Sequence, residues 1–595
     1  MLSWRFLSLA LELLPVIGFT MLSDPISVGG LALSAVSVAA QTFNGCIIGL
    51  RIISKARSSH VTLLGFRTQL DLEIARLLIW GRNSGLARDE LHESLQPIQP
   101  LLLDILGNIA SSIESTDKLR STYGIELLEE EANEVGRTPS PRPAGTVESL
   151  NLLPNSGLAA ELQRQQSIAS GLRKKTRWYH KVKWATWDEA KATHFINSIS
   201  DYVTGLNRLL TESQKATYEE EFTAMKIAIL GTNWAQRGSM LGALHSATAS
   251  RYETIALPAR LAQLRLEFEM EEIAPSPPTV GGLPALLLPI SHEGLRVLDP
   301  SRSCTRFRDS HVVIEWKTPG SMEVTGEPGR RLMEQAVMLA TLFMALHSQP
   351  EVYRVLECVG YVDHRNNIPP RYGLAFALPP TCSPETPFYT LHEYLSSRAH
   401  EDFQPSLGSR FELARQLAKT FLQFHQLGWL HKGICSYNII FFRRDGVDSI
   451  ESPYILGFDY SRPNSQAGIS DKPNPDPKFD LYRHPACQSE PPESFQMRFD
   501  LFSIGLLLFE IAKWRPLSNY RAGIGGAQVT PSAFVDKIVN NVNADLEFRM
   551  GVHYKEAILT CLQGSFGING EDPLDKRLKL AFFEKVVKQL NNCHA

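Results

Sequence analysis

At 595 residues the chain is too long for one hydrophobic core, and two to four domains are expected. Hydrophobic content of 43% and charged content of 21% are ordinary for globular protein, and 60 basic against 63 acidic residues leave no global charge that would point to nucleic acid. The cysteines Cys46, Cys304, Cys358, Cys382, Cys435, Cys487, Cys561 and Cys593 are scattered without a C-x-x-C pair or metal spacing, as expected of reduced thiols in an intracellular protein.

In chain order, residues 1–23 read as an N-terminal extension. Arg5 and an apolar run have the look of a secretory signal, but Glu12 interrupts the run, no small-residue cleavage site follows, and Met21 offers a second start. Pro25 to Leu50 is a charge-free stretch of 26 residues, longer than the roughly 20 needed to cross a bilayer. Interspersed Ser, Gln, Asn and Gly leave two readings open, a core helix or a helix that inserts in membrane conditionally. Pro25, Gly29, Leu33, Val36 and Leu50 are the insertion candidates. In Leu63 to Trp80 the apolar positions Leu63, Phe66, Leu70, Ile74 and Leu77 recur every three or four residues, with Arg67, Asp71 and Glu73 on other faces, which predicts an amphipathic helix. A second is predicted over Asp188 to Leu210, along Phe195, Ile199, Tyr202, Val203, Leu206 and Leu209. Gly136 to Pro154, rich in Pro, Ser and Gly, reads as a polar loop.

Three separated segments, DPISVGGLALSAVSVAAQTFNGC from Asp24, the F-x-x-Q-L-x-x-E-x-x-R-L-x-x-W run at Phe66 to Trp80, and KVKWATWDEAKATHFINSISDYVTGL at Lys181 to Leu206, resemble the fungal HeLo domain, the prion-inhibition and propagation domain. The resemblance implies an α-helical bundle over 24–215 with a mobile loop at about 132–165. It also implies an N-terminal helix that can leave the bundle for the plasma membrane and execute cell death of the heterokaryon-incompatibility kind. The family's amyloid-forming tail has no counterpart in FFEKVVKQLNNCHA at the C-terminus. The basic patch Arg173, Lys174, Lys175, Arg177, Lys181 and Lys183, interleaved with Trp178, Trp184 and Trp187, suits anionic lipid, or else a solvated helix start with its tryptophans packed inside.

Residues 216–289 read as a helical brace followed by a Pro/Gly linker, APSPPTVGGLPALLLP at Ala274 to Pro289. Residues 290–592 then follow the order of a protein kinase, which they resemble, and an α+β two-lobed fold is expected there. VVIEWK ends in Lys317 as the phosphate-binding strand does, and Glu334, 17 residues on, falls where the helical Glu partner belongs. Tyr372 to Leu378 reads as a hinge strand, Phe411 to Leu427 as an amphipathic helix, and DLFSIG from Asp500 as the large-lobe D-x-W-S-x-G. The loop WLHKGICSYN keeps His431 and Asn438 at the H-R-D-x-x-x-x-N spacing, but Gly433 stands at the proton-accepting Asp. In YILGFDYSR, aligning Phe458 on D-F-G puts Gly457 at the metal-binding Asp, with Asp459 two residues later. No G-x-G-x-x-G precedes Val312, so amides are not arranged to cradle a triphosphate. A pseudokinase is expected, with no cofactor beyond weak ATP and Mg binding through Lys317, Glu334 and Asn438. The whole reads as a cytoplasmic effector with conditional plasma-membrane association, self-association and an upstream protein activator, and with no nucleic-acid partner. An atypical active kinase and a soluble scaffold are the alternatives.

Overall fold

The structure, a computed structural model, describes residues 35–55, 63–113, 116–123, 125–129, 182–187, 189–230, 238–271, 287–317, 327–367, 370–380, 382, 387–396, 403–443, 449–464, 477–488, 494–522, 530–568 and 575–595. The chain divides into two compact units, 1–229 with 242–256, and 230–241 with 257–595.

The first unit is built from helices α1 (Ala35–Lys55), α2 (Leu63–Ser84), α3 (Gln99–Ile113), α4 (Thr116–Tyr123), α5 (Glu189–Arg208) and α6 (Glu212–Leu230). Along α1, Ala39, Phe43, Cys46, Ile47, Leu50 and Ile53 recur at helical spacing and are buried, packed against α2 and α3. Burying one such large side chain favours folding by roughly 1.5–3 kcal/mol, so the stripe is what holds α1 in place. Val36 is half-buried on the same helix, whereas Pro25, Gly29 and Leu33 lie outside the described residues.

Helix α2 departs from its expected amphipathic character. Residues 70–80 are all buried, including Asp71, Glu73 and Arg76. These charges are tolerated because each is paired. Asp71 accepts from the Ser54 hydroxyl. Arg76 meets Glu73 at 2.8 Å, donates to the hydroxyls of Tyr218 (3.2 Å), Tyr252 (2.6 Å) and Thr204 (3.1 Å), and Tyr252 in turn donates to Glu73. The bundle carries one addition that periodicity does not predict. Ile125–Glu129 (β1) and Val182–Trp187 (β2) pair antiparallel, so the V-K-W-A-T-W segment is a strand and not a helix start. Its Val, Trp and Thr content favours that conformation. Arg173, Lys174, Lys175, Arg177 and Lys181 lie outside the described residues, as does the Lys183 side chain.

The second unit takes in the start of α7 (Gly238–Thr248) and the body of α8 (Glu253–Glu271), and then forms a five-stranded antiparallel sheet. Strands β3 (Arg296–Asp299), β4 (Arg302–Phe307), β5 (Ser310–Lys317), β6 (Cys358–His364) and β7 (Arg371–Ala377) run in the order β3-β4-β5-β7-β6. Helix α9 (Glu327–Leu346) crosses between β5 and β6 and packs on β6 and β7. The chain joins this sheet earlier than the linker composition implies. Leu287 bridges to Tyr361, the Leu288 amide donates to the Tyr361 carbonyl at 2.8 Å, and Leu288 enters a cluster with Val312, Ile314, Trp316, Val362 and Ala375.

Alternation along β5 therefore sends Val312, Ile314 and Trp316 to that apolar cluster and leaves Val313, Glu315 and Lys317 on the opposite face. The remainder is mainly helical, around α10 (Leu407–Gln426), α11 (Met497–Lys513) and α12 (Glu547–Gln563). The layout is the two-lobed one expected from the sequence, a small sheet with one long helix and a larger helical part.

Candidate functional site

Two loops meet between the sheet and the helical part. One runs from Leu430 to Ile439 and the other from Ile455 to Arg462. Short ladders tie them side by side, Leu430 opposite Arg462 at one end and Ile439 opposite Ile455 at the other. The first loop is anchored from below by Asp500 in the first turn of α11. Its buried carboxylate accepts from the amides of His431 (2.8 Å) and Lys432 (2.9 Å) and from His425 Nε2 (3.2 Å). That anchor offsets an unfavourable backbone, since Lys432 sits at φ 65°.

His431 is buried, and its Nδ1 accepts from the Gly433 amide at 3.1 Å. Burial pushes its imidazole down to about 4, against the pull of Asp500, so the ring is neutral at pH 7. The Phe458 ring lies tilted against it with centroids 4.7 Å apart and reaches Phe343 of α9 at 4.3 Å and Phe424 of α10 at 5.6 Å. One aromatic cluster thus joins both loops to a helix of each lobe.

Charge chemistry at the site centres on a residue that sequence reasoning passed over. Arg302, on β4, lies directly opposite Glu315 on β5, and its Nε donates to Glu315 Oε1 at 3.0 Å. The guanidinium extends across to the loop, where Nη1 donates to the Tyr437 carbonyl at 3.1 Å and Nη2 to Asn438 Oδ1. Burial opposes the charge, but the Glu315 and Asp299 carboxylates outweigh it and hold Arg302 protonated above its ordinary range. Glu315 also accepts from the amides of Gly457 (2.7 Å) and Phe458 (3.2 Å). The other end of Asn438 is committed too, its Nδ2 donating to the Gly433 carbonyl at 2.6 Å.

The glycines are part of this packing. Gly457 has φ 87°, and a Cβ there would lie 2.0 Å from Asn438 Nδ2. A Cβ on Gly433 would lie 2.8 Å from the Gly457 carbonyl oxygen. The divalent metal that a kinase pattern implies therefore does not fit these residues. The Asn438 oxygen that would face it accepts from a guanidinium, and there is no room for a carboxylate at 457. Asp459 lies nearby but is half-buried. Desolvation, then the Glu315 charge, push its carboxyl up to about 7, despite Arg302 and Lys317.

Lys317 donates at 2.8 Å to Gln335, one residue beyond the expected Glu334, whose side chain lies outside the described residues. Gln335 passes the connection on to the Ser461 carbonyl at 2.9 Å, and Ser461 Oγ donates to the His431 carbonyl at 3.0 Å. The structure thus brings Lys317, His431, Gly433, Asn438, Gly457, Phe458 and Asp459 together, and adds Arg302, Glu315 and Gln335. A signal for Glu315 was present in VVIEWK, because a Glu sharing a strand face with Lys317 in a buried sheet demands a cationic partner.

Comparison with known proteins bears on the two parts separately. Residues 30–235 match the HeLo family, described as prion-inhibition and propagation. Residues 365–593 match a domain of unknown function, DUF7580. Among solved structures, the PK-1 kinase of Cydia pomonella granulovirus is similar over 49% of this chain and 94% of its own, with 12% sequence identity and a TM-score of 0.33. No curated protein matches the chain.

Proposed function

We propose that the protein is an effector or regulator of regulated cell death, of the fungal heterokaryon-incompatibility kind. In this reading the HeLo part acts on plasma-membrane lipid after self-association, and the kinase-shaped unit senses an upstream protein activator without transferring phosphate. The observation that carries it is the HeLo match at residues 30–235, which begins ahead of α1, the one helix among the described residues long and apolar enough to cross a bilayer. Support for an inert second unit comes from Gly433 and Gly457, which replace both carboxylates of phosphoryl transfer. A signal that binds the restrained and released states unequally would shift the balance between them, and phosphorylation or a protein docked on residues 477–488 is a suitable one.

The test is induced expression of the full chain, of residues 1–271, and of that fragment carrying Val38→Asp on the exposed side of α1, with viability and dye uptake as readouts. Killing by the fragment, abolished by the charge and absent with the full chain, is the expected result. Survival in every case would favour the second reading, a scaffold. That reading draws on the complete burial of Phe43, Cys46, Ile47 and Leu50, which suits a helix that never leaves its bundle.

A further inference from the structure

We infer that Arg302 is a built-in cation. Its guanidinium takes the place of the divalent metal of a phosphoryl-transferring site and joins the sheet to the loop with no nucleotide between them. The inference rests on the reading of the second unit as inert, and it adds a residue that supplies what the metal would have supplied.

Three observations converge. First, the ligands are the right kind: Arg302 is surrounded by the oxygens of Glu315, Tyr437 and Asn438, a carboxylate, a carbonyl and an amide, which are the donors that hard divalent cations take. Second, Arg302 is 4% exposed and its charge is matched at 3.0 Å by Glu315, itself 3% exposed, so the pair is a built interior contact and not a surface ion pair. Third, the tie is mechanical as well as electrostatic. Arg302 stands on the sheet, Tyr437 and Asn438 on the loop, and Glu315 holds the amides of Gly457 and Phe458 on the second loop. One guanidinium and one carboxylate thus fix both loops against the sheet, the task a nucleotide-bound metal performs elsewhere.

A consequence separates this from simple packing. Removing the guanidinium leaves the oxygens of Glu315, Asp299 and Asn438, with Asp459 nearby, without the cation they face, and only Lys317 remains to offset Asp459. A small divalent ion should then bind where none binds in the intact protein.

The experiment is thermal melting of the full chain, wild type and Arg302→Ala, with and without millimolar Mg2+ or Mn2+, alongside a phosphotransfer assay of the wild type with Mg·ATP. The wild type should melt at one temperature whatever the cation. Arg302→Ala should melt about 8 °C lower, and Mn2+ or Mg2+ should recover about 3 °C of that loss. If the alanine variant fails to fold, Arg302→Gln, which keeps a donor toward Asn438, carries the same expectation. A wild type stabilised by the cation alone, or a variant whose loss no cation recovers, overturns the assignment of Arg302 and leaves the inert reading standing. Phosphate transfer by the wild type overturns the inert reading itself, and Arg302's role with it.

Discussion

Replacing Gly457 by Asp, the change that would rewrite G-F-D toward D-F-G, is expected to damage the protein and not to repair it. The new Cβ would fall 2.0 Å from Asn438 Nδ2 and 2.4 Å from its Cγ, so Asn438 must move. Holding an L-residue at φ 87° costs about 1–2 kcal/mol. Overpacking adds about 1–3 kcal/mol. Displacing Asn438 removes the hydrogen bond from buried, charged Arg302, for about 1.5–3 kcal/mol more. The sum is about 3.5–8 kcal/mol, and at about 2 °C per kcal/mol for a unit of this size the melting point should fall by about 7–16 °C. Differential scanning fluorimetry on the full chain measures it, with Gly457→Ala as the control. Alanine brings the same Cβ without the charge, so the two variants should fall together. A Gly457→Asp protein that melts within about 2 °C of wild type, or that Mg2+ stabilises, would refute the packing argument.

Other expectations follow from the same contacts. Asp459 holds its proton up to about 7 against an ordinary 3.8, so the folded state binds the extra proton and this contribution to stability is lost as pH rises from about 4 to 7. Asp459→Asn should therefore gain melting temperature relative to wild type between pH 5 and pH 8, and a constant difference would contradict the burial of that carboxyl. His431 runs the other way. Its folded value near 4 lies below 6.5, so its contribution is intact above 6.5 and is lost as pH falls toward 4, and His431→Phe should flatten that acid-side loss in a melting series. In the first unit, Arg76→Met leaves Glu73 buried without its cationic partner and should cost about 3–5 kcal/mol in denaturant unfolding, with Glu73→Met added to it recovering most of the loss. If the double variant is worse than the single one, the pair is not the reason Arg76 is there.

Much of the second unit was legible because its signals are local. The strand alternation of VVIEWK, the apolar run of YGLAFAL, the periodicity of Phe411 to Leu427 and the two glycine-bearing loops are each short, continuous stretches, and the strands and helix form where the pattern implies. What escaped notice lies between distant positions. Arg302 meets Asn438 across 136 residues, and nothing in R-S-C-T-R-F distinguishes an interior arginine from an exposed one. Lys317 meets Gln335, the neighbour of the expected Glu334, whose own side chain lies outside the described residues. Asp71 and Glu73, placed off the apolar face of their helix, turn out buried because a single helix shows its own period but not how many neighbours surround it. The β1 and β2 ribbon joins segments more than fifty residues apart, beyond the reach of any turn signal.

The interlocked fit of Gly433, Asn438, Gly457 and Arg302 also limits where this sequence can go next. An aspartate at 457 meets Asn438 already turned toward Arg302, an aspartate at 433 meets the Gly457 carbonyl, and loss of Arg302 alone strands Glu315. Each single substitution at these positions thus passes through a less stable protein, while changes to the surface around the locked centre stay open. Drift is free to reshape what this unit touches, while these four positions hold one another in place.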